Sequence, residues 1–340
     1  MRYPKFLSQS DTIGVVAPSY SSINTPYFEA FQSALLNFQS LGYKVIVGEC
    51  CNRCDGTGIS SLPDICGREL TEFYCLEDSD VLISNAGGEL MCSILDYIDF
   101  EKIRASTPKW FMGFSDNTNF TFLLTTLCDV ASIYGPGFGA FGMKPWHAAI
   151  NDALALLRGR KLTMRGYEYF QAGNTLQSPP LLQPYQDTQQ KILHSFPFAN
   201  MSFNGRLIGG CLDSLVRLAG TCFDKVSEFT HRHQEDGIVW FMENHSLNTW
   251  SVFRALWQLD HAGWFENVSG FLFGRSACIE SGSNGLDQYG AVVKALKKYN
   301  VPIVMDVDFG HVPPAMPLIC GSLADITVKG NEIEIDMQLK

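Results

Sequence analysis

The sequence predicts an α/β fold: an N-terminal domain with a doubly wound, mostly parallel sheet, followed by a smaller, β-rich α+β C-terminal domain. The main observation is that short apolar segments alternate with helical segments through residues 1–150. Residues 80–84 are apolar in the middle, which is typical of parallel strands buried on both faces. The length of 340 residues indicates about two domains. We therefore expect an α/β domain over 1–150, a linker and loop over 151–200, and a β-rich domain over 201–340.

A β-α-β unit opens the chain. Residues 11–19 form a strand that runs into a turn, residues 28–41 place apolar side chains at helical spacing, and residues 43–47 form a second strand. Gly42 lies between the helix and the second strand, where a glycine commonly ends a helix. Two strands joined by a helix pair in parallel through a right-handed crossover. The unit therefore predicts the start of an open, doubly wound sheet.

The same alternation continues to about residue 150. Predicted elements are a helix over 67–76, a strand over 80–84, the start of a helix over 91–97, a strand that leads to Ser115, a helix over 118–127 and a strand over 130–134. Ligands of such sheets bind beyond the carboxyl ends of the strands. Gly87, Gly88 and Ser115 all follow predicted strands, so we expect them at that edge. The two glycines either present a backbone N–H to a substrate or only form a tight turn, and the sequence alone favours the tight turn.

The composition changes after residue 150. A short helix over 153–157 is followed by a polar segment whose prolines forbid long helices, so we expect a linker with an exposed loop or strand pair. The pattern becomes mixed from Gly205 onward. Predicted elements are a helix over 212–219, a strand over 237–242 that ends at Glu243, an amphipathic helix over 250–263, and short strands over 268–274, 303–307 and 326–335.

Charge and hydropathy exclude several classes of protein. The net charge is −10 and the pI is about 5.2, whereas binding to nucleic acid or an anionic membrane needs a basic surface. No run of about 18 apolar residues is present, and residues 1–5 lack the apolar region of a signal peptide. We therefore expect a cytoplasmic protein with neither nucleic acid nor a membrane as partner.

The eleven cysteines predict free thiols, because their number is odd and no signal peptide is evident. Cys50, Cys51 and Cys54 suggest zinc, but only Cys51 and Cys54 have the C-x-x-C spacing, and a second such pair is missing. The sequence also lacks a G-x-G-x-x-G or Walker motif. We therefore predict neither a metal site nor a cofactor.

Residues 109–117 have the pattern of a strand-to-helix turn with a serine at its apex. An apolar segment leads to Ser115, and Asp116 and Asn117 suit a helix N-terminus. The helix dipole and free backbone N–H groups at such a turn favour an oxyanion. The motif is G-x-S-x-N rather than the G-x-S-x-G of nucleophile elbows. Ser115 is thus a candidate nucleophile, and the alternatives are a helix cap or a phosphate site.

A serine nucleophile needs a base, usually a histidine that an acid orients. Among seven histidines, His311 lies in a loop bounded by glycine and proline after a predicted strand, so it is either the base or a residue that hydrogen-bonds to backbone. Glu243 ends an apolar strand, so its carboxylate needs a partner, either His311 or Arg254. Other candidates for the acid are Asp116, Asp306 and Asp308.

Together these motifs resemble the LD-carboxypeptidase family of serine peptidases, which includes muramoyltetrapeptide carboxypeptidases and microcin C immunity peptidases. The resemblance spans nearly the whole chain, and the motifs occur in the family's order. They are residues 14–19, Gly87-Gly88 with 94–99, residues 113–116, Gly209-Gly210 with Leu212, Leu215 and Gly220-Thr221, residues 241–243, and Gly310-His311 with Pro314 and Gly321.

The resemblance implies a Ser–His–Glu triad of Ser115, His311 and Glu243. It also implies an oxyanion hole formed by the backbone N–H groups of Gly88 and Asp116. The family's fold has an α/β N-terminal domain and a smaller β-rich C-terminal domain, with the active site between them, and its members are usually homodimers. We expect the same arrangement here.

The resemblance further implies hydrolysis of an amide bond without a metal or cofactor. We expect a carboxypeptidase that cleaves the L,D bond of a murein tetrapeptide; the alternative is an immunity-type peptidase that cleaves peptidyl- or aminoacyl-nucleotide amides. Asn244 follows the acid where the family often has aspartate, and Ile319 stands where a proline is common, so the substrate is the open question.

The partner implied by either activity is a small peptide or peptidyl-nucleotide substrate. An esterase or acyltransferase with the same triad is a second candidate enzymatic function. A non-catalytic small-molecule binding protein, with Ser115 as a helix cap, is the alternative from another class. Candidate substrate contacts are Gly87, Glu89, Asn244 and Trp250.

Overall fold

The computed structural model describes residues 1–23, 27–172, 182–278 and 285–340. The chain divides into two compact units. The first contains the described residues of 1–161, 178–184 and 317–320, and the second contains the described residues of 162–177, 185–316 and 321–340. The first unit therefore takes back a short segment from near the C-terminus.

The helices of the described residues are α1 (Tyr27–Ser40), α2 (Pro63–Cys75), α3 (Phe100–Ala105), α4 (Thr118–Cys128), α5 (Ala148–Leu157), α6 (Leu212–Leu218), α7 (Val226–Arg232), α8 (Thr249–His261) and α9 (Gln288–Leu296). The strands of the first unit are β1 (Thr12–Val16), β2 (Lys44–Val47), β3 (Val81–Ser84), β4 (Trp110–Gly113), β5 (Ser132–Tyr134) and β14 (Leu318–Cys320). Those of the second unit are β6 (Thr163–Arg165), β7 (Tyr169–Phe170), β8 (Gln189–Gln190), β9 (His194–Phe196), β10 (Asn200–Cys211), β11 (Ile238–Glu243), β12 (Val268–Gly274), β13 (Ile303–Val307), β15 (Leu323–Lys329) and β16 (Glu332–Gln338).

The first unit is built on a sheet with the strand order β2-β1-β3-β4-β5-β14. Strands β1 to β5 pair in parallel, and β14 pairs antiparallel with β5. The 2-1-3-4-5 order is one of the two common orders of doubly wound sheets, which confirms the predicted fold class. Its strand order reverses between β1 and β3, and ligand crevices form beyond the carboxyl ends of strands at such a point.

Burial explains why the sequence of this sheet is so apolar. All four residues of β3 and of β4 are buried, as expected for parallel strands covered on both faces. The helix that follows β4, α4, is itself buried along ten of its eleven residues. Helix α4 is therefore a core helix. The turn that joins β4 to α4 lies between two buried elements.

The second unit contains a sheet with the order β6-β16-β15-β10-β11-β12-β13-β9. Strands β10 to β13 pair in parallel, and the remaining strands pair antiparallel at the two sides. The segment 151–200, predicted to be a linker, supplies α5, the edge strands β6 and β9, and the strand pair β7–β8. Its polar sequence suits strands that lie at edges and are only partly buried.

Two predicted helices of the first unit differ in their bounds. Helix α2 begins at Pro63, because proline is well suited to the first helical position. Gly67, the predicted start, lies inside α2, where an added Cβ would be 2.7 Å from Cβ of Tyr97. Residues Met91–Tyr97 form 3₁₀ turns rather than an α-helix, and α3 follows them.

Among the described residues, no helix is both long enough and apolar enough to cross a membrane.

An aromatic cluster fastens α1 to the 3₁₀ segment Phe138–Gly142 that follows β5. Phe38 is fully buried, stacks on Phe138 at 5.4 Å between ring centroids and packs against Phe141 at 4.9 Å. We predict that Phe38→Ala lowers the free energy of unfolding by about 3–5 kcal/mol, because the cavity adds to the lost transfer free energy. Urea denaturation measures this.

Leu36 is the matched control, because it lies on the same helix with 61% of its surface exposed. Leu36→Ala should change the free energy of unfolding by less than about 0.5 kcal/mol. Equal losses in the two variants would contradict the assignment of Phe38 to the core.

Candidate active site

Ser115 stands at the apex of the turn between β4 and α4. Its φ is +62°, in the left-handed region that non-glycine residues rarely adopt. Residues Ser115–Asn117 form a 3₁₀ turn that leads directly into α4 at Thr118. A strained serine on a strand-to-helix turn is the arrangement that presents a nucleophile.

Two glycines let other backbone segments approach this turn. An added Cβ at Gly113 would be 2.9 Å from Cβ of Asn117, so the end of β4 needs a glycine. An added Cβ at Gly87 would be 3.0 Å from Cβ and 3.2 Å from Oγ of Ser115. The backbone of the loop after β3 therefore lies directly against the serine, and the structure brings the predicted Gly87, Gly88 and Ser115 together.

Asp116 ties this loop to the turn through its carboxylate. Its Oδ2 accepts hydrogen bonds from Oγ of Ser19 at 2.6 Å and from the N–H of Met91 at 2.9 Å, while Oδ1 accepts from the side chain of Asn119 at 3.0 Å. Burial raises the pKa of the Asp116 carboxyl above its ordinary value, against the hydrogen bonds that lower it. The ends of β1, β3 and β4 thus converge on one buried carboxylate.

Backbone N–H groups are available beside Ser115. In the described part of the chain, neither the N–H of Gly88 nor that of Asp116 donates to another residue. The side chain of Asn117 holds the same loop by donating to the carbonyl of Ala86 at 2.9 Å. The local geometry is compatible with an oxyanion hole at these two groups.

Tyr134, at the end of β5, was not singled out by the sequence. It is 2% exposed, and its hydroxyl accepts a hydrogen bond from the N–H of Ser115 at 3.2 Å. The bond ties the backbone of the strained turn to the buried end of β5. Tyr134 therefore positions the serine through its backbone.

In the second unit, Glu243 and His311 form a buried pair. Oε2 of Glu243 lies 2.7 Å from Nδ1 of His311, and the glutamate is 1% exposed. The carboxylate ends β11, whose six residues are all buried. An acid bound to Nδ1 fixes the ring orientation and leaves Nε2 for a proton from elsewhere, as the acid and the base of a catalytic triad do.

Two glycines allow the His311 loop to contact Glu243. Gly310 has φ +99°, and an added Cβ there would be 2.5 Å from Cγ of Glu243. An added Cβ at Gly274, which ends β12, would be 2.8 Å from Cβ of Glu243. The glutamate is enclosed by backbone on both sides, so its position is fixed by the fold.

Asp213 fixes the segment that follows Glu243. Its carboxylate accepts from the N–H groups of His245 and Ser246, each at 3.0 Å, and from the hydroxyl of Ser246. Burial alone would raise the pKa of Asp213, but these hydrogen bonds outweigh it and leave the pKa below its ordinary value. The ring of His245 lies 4.4 Å from that of His311, so the anchored segment packs against the histidine.

The alternative acids and partners have other contacts. Arg254 is exposed and donates to Ser251, so it is not the partner of Glu243. Asp308 pairs with Arg275 and lies 3.5 Å from Nζ of Lys191, and Asp306 accepts from the hydroxyl of Tyr289 at 2.6 Å. Asp116 lies in the other unit with the contacts given above. Glu243 is therefore the acid that this structure joins to His311.

The remaining predicted residues differ in their surroundings. Glu89 is exposed beside Gly88, and Trp250 is 37% exposed at the start of α8. Asn244 is buried, and its side chain donates to the carbonyl of Leu247 at 2.8 Å and to Ser276 at 2.9 Å. Of the cysteines considered for zinc, Cys50 and Cys51 are buried and Cys54 is exposed.

Comparison with known proteins identifies the class to which this fold and these motifs belong. Residues 13–135 match the LD-carboxypeptidase N-terminal domain, and residues 204–326 match the LD-carboxypeptidase C-terminal domain. These matches cover well over half of the chain, so the protein belongs to the LD-carboxypeptidase family and is a serine peptidase. The resemblance seen in the sequence motifs is thereby confirmed.

Individual relatives carry two kinds of name. The putative carboxypeptidase YocD of Bacillus subtilis is 25% identical over 92% of each chain. The microcin C7 self-immunity protein MccF of Escherichia coli is 21% identical over 98% of this chain and 95% of its own; its structure in complex with aspartyl sulfamoyl adenosine has a TM-score of 0.82, covering 99% of each chain. The muramoyltetrapeptide carboxypeptidase of Oxalobacter formigenes has a TM-score of 0.73 at 21% identity, covering 96% of this chain and 99% of its own.

The hydroxyl of Tyr134 generates a prediction about the serine turn. Tyr134→Phe removes a hydroxyl that accepts a hydrogen bond from the Ser115 N–H, so we expect kcat on a cleaved substrate to fall about tenfold, in line with the net value of about 0.5–1.5 kcal/mol for a hydrogen bond. Steady-state kinetics and urea denaturation are the measurements.

Tyr74→Phe is the matched control for this prediction. Tyr74 is equally buried in the same unit, and its hydroxyl donates to the carbonyl of Lys109 at 3.0 Å, away from Ser115. It should lose similar stability, about 1 kcal/mol, with kcat unchanged. The same fall in kcat for both variants would show that Tyr134 acts only through stability.

The approach of Gly310 to Glu243 generates a second prediction. Gly310→Ala places a methyl group against the glutamate side chain, so we expect at least a 100-fold loss of kcat/KM from displacement of the Glu243–His311 pair. Gly220 also has positive φ, +81°, but an added Cβ there meets nothing within 4 Å. Gly220→Ala therefore carries the backbone strain without the contact and should retain activity; equal losses would refute the steric explanation.

Proposed function

We propose that the protein is a serine carboxypeptidase that hydrolyses the L,D amide bond of a murein tetrapeptide, with Ser115 as nucleophile, His311 as base and Glu243 as orienting acid. The observation that carries the proposal is the buried 2.7 Å contact between Oε2 of Glu243 and Nδ1 of His311. It is supported by the strained Ser115 on a strand-to-helix turn.

In the proposed mechanism, Nε2 of His311 accepts the proton of the Ser115 hydroxyl as Oγ forms a bond to the substrate carbonyl carbon. Glu243 holds the Nδ1–H tautomer and stabilises the imidazolium that forms. The tetrahedral intermediate carries its negative charge on the former carbonyl oxygen. The N–H groups of Gly88 and Asp116 are proposed to bind that oxygen, and a donor of this kind is worth about 3 kcal/mol.

The second half of the cycle releases the products. The imidazolium gives its proton to the leaving amine as the C–N bond breaks, which leaves an acyl-enzyme on Ser115. Water, deprotonated by His311, then cleaves the ester and restores the serine. For a murein tetrapeptide the first product is D-alanine.

The alternative substrate is a peptidyl- or aminoacyl-nucleotide amide. The relative MccF is named for immunity to microcin C7 and its structure contains aspartyl sulfamoyl adenosine, which supports testing this class. Gly87, Glu89, Asn244 and Trp250 are proposed as substrate contacts. We also propose a cytoplasmic homodimer, as the family resemblance implies.

The test is hydrolysis of both substrates by the wild type and by Ser115→Ala, followed by mass spectrometry. We expect release of one D-alanine per tetrapeptide, and a fall in kcat of about 10⁴-fold or more in Ser115→Ala. Glu243→Gln should lose about 10⁴-fold, because the imidazole then favours the wrong tautomer. The exposed Ser93 supplies a matched control, Ser93→Ala, that should retain full activity.

The outcomes separate the readings. Cleavage of the peptidyl- or aminoacyl-nucleotide amide, with no release of D-alanine from the tetrapeptide, would replace the murein assignment by the immunity-type activity. Turnover of acyl esters alone would indicate an esterase or acyltransferase. Binding of a substrate without turnover, equally by the wild type and Ser115→Ala, would indicate a binding protein and refute the triad.

A further inference from the structure

We propose that Cys211, Glu243 and His311 form a binding site for Zn²⁺, and that zinc bound there switches the peptidase off. The inhibitory half of this proposal rests on the proposed function, whereas the binding half rests on the geometry of the second unit alone. The ion would be an inhibitor that the chain binds reversibly, and not a cofactor of the reaction.

The register of two parallel strands creates the site. Cys211 ends β10 and is paired with Glu243 at the end of β11, and His311 reaches the same carboxylate from the loop after β13. The thiol sulfur, a carboxylate oxygen and a ring nitrogen of these residues all lie within 4.8 Å of one another. Among the described residues, this is the group of cysteine, histidine and acidic side chains that is close enough to hold a metal ion.

The donor set matches the preferences of zinc. Thiolate, imidazole and carboxylate are its usual protein ligands, at about 2.3, 2.0 and 2.1 Å respectively. Tetrahedral coordination at those lengths separates the ligand atoms by roughly 3.3–3.6 Å. The Glu243–His311 contact of 2.7 Å therefore has to open by less than about 1 Å, and the sulfur, which lies within 4.8 Å of both atoms, has to approach by at most about 1.5 Å. Water would occupy the fourth position.

The surroundings favour a neutral metal complex. Cys211 and Glu243 are almost fully buried, while His311 retains partial exposure that gives an ion a route to the site. Oδ2 of Asp213 lies 3.5 Å from the Cys211 sulfur, but its oxygens are already bonded to the His245–Ser246 segment. One Zn²⁺ with one thiolate and one carboxylate carries no net charge, which suits a buried site.

The positions of the protons on Cys211 and His311 explain why bound zinc would inhibit the peptidase. The Cys211 thiol loses its proton to solvent and its sulfur bonds to the metal. Zinc takes the place of the proton on Nδ1 of His311, and a neutral ring then carries its proton on Nε2. That nitrogen is a donor in this tautomer and has no lone pair for the Ser115 proton. Zinc would therefore remove the base without touching the serine.

Cobalt is the probe for binding, because a thiolate–Co²⁺ bond gives an intense near-ultraviolet charge-transfer band that depends on the sulfur ligand. Chelator-treated wild type should gain the band with one equivalent of Co²⁺ and lose it when Zn²⁺ is added. Cys211→Ser should lack the band, and His311→Gln should bind the ion more weakly. The exposed Cys222 provides the control, since Cys222→Ser should keep the band. Thermal unfolding checks that each variant is folded.

Inhibition is measured separately, as the ratio of activities with and without Zn²⁺ for each variant. The zinc concentration for half-inhibition should rise at least 30-fold in Cys211→Ser and stay unchanged in Cys222→Ser. A cobalt band that persists in folded Cys211→Ser, or equal zinc sensitivity in both variants, would overturn the proposal. A Cys211-dependent band in a protein that cleaves no substrate would refute the proposed function and leave the metal site in place.

Discussion

The buried hydrogen bond between Glu243 and His311 governs the organisation of the second unit. A carboxylate that is 1% exposed has lost nearly all of its hydration. This desolvation costs on the order of several kcal/mol, and only a close partner offsets that cost. The partner arrives on a loop, so the loop has to lie against β11. Gly274 and Gly310 follow from that requirement, because a side chain at either position would push the loop away. Stability and the candidate chemistry therefore depend on the same few atoms.

The first unit also has a buried carboxylate that accepts hydrogen bonds from neighbouring segments around its candidate site. Asp116 is a buried carboxylate just beyond the end of a parallel strand, and it gathers Ser19 and Met91 around the Ser115 turn. Its partners are neutral donors, whereas that of Glu243 is a titratable ring. The one carboxylate therefore holds backbone in place, while the other holds the orientation of a histidine ring. Each sits where the strands of a parallel sheet end and side chains can converge.

The sequence predicted the features that depend on local pattern. The alternation of strands and helices specified the doubly wound sheet, and the strand-to-helix turn identified Ser115. Tyr134, Ser19 and Cys211 were missed because their contacts come from strands distant in sequence: Cys211 meets Glu243 only through the register of β10 and β11. The edge strands β6 and β9 were hidden for another reason. Short, partly exposed strands have the same polar composition as a linker. They become strands because β13 and β16 offer them an edge to pair with, and their own sequence does not show this.

The return of β14 to the first sheet has a consequence for how the protein is made. Residues 318–320 pair with β5, which spans residues 132–134, so more than half of the chain separates the two partners. Contacts so distant in sequence are slow to form, because a long loop must close first. On the ribosome, the nascent first unit carries an open edge at β5 until the last residues of the chain emerge. Open edges attract other strands, so synthesis passes through a stage at which aggregation competes with folding.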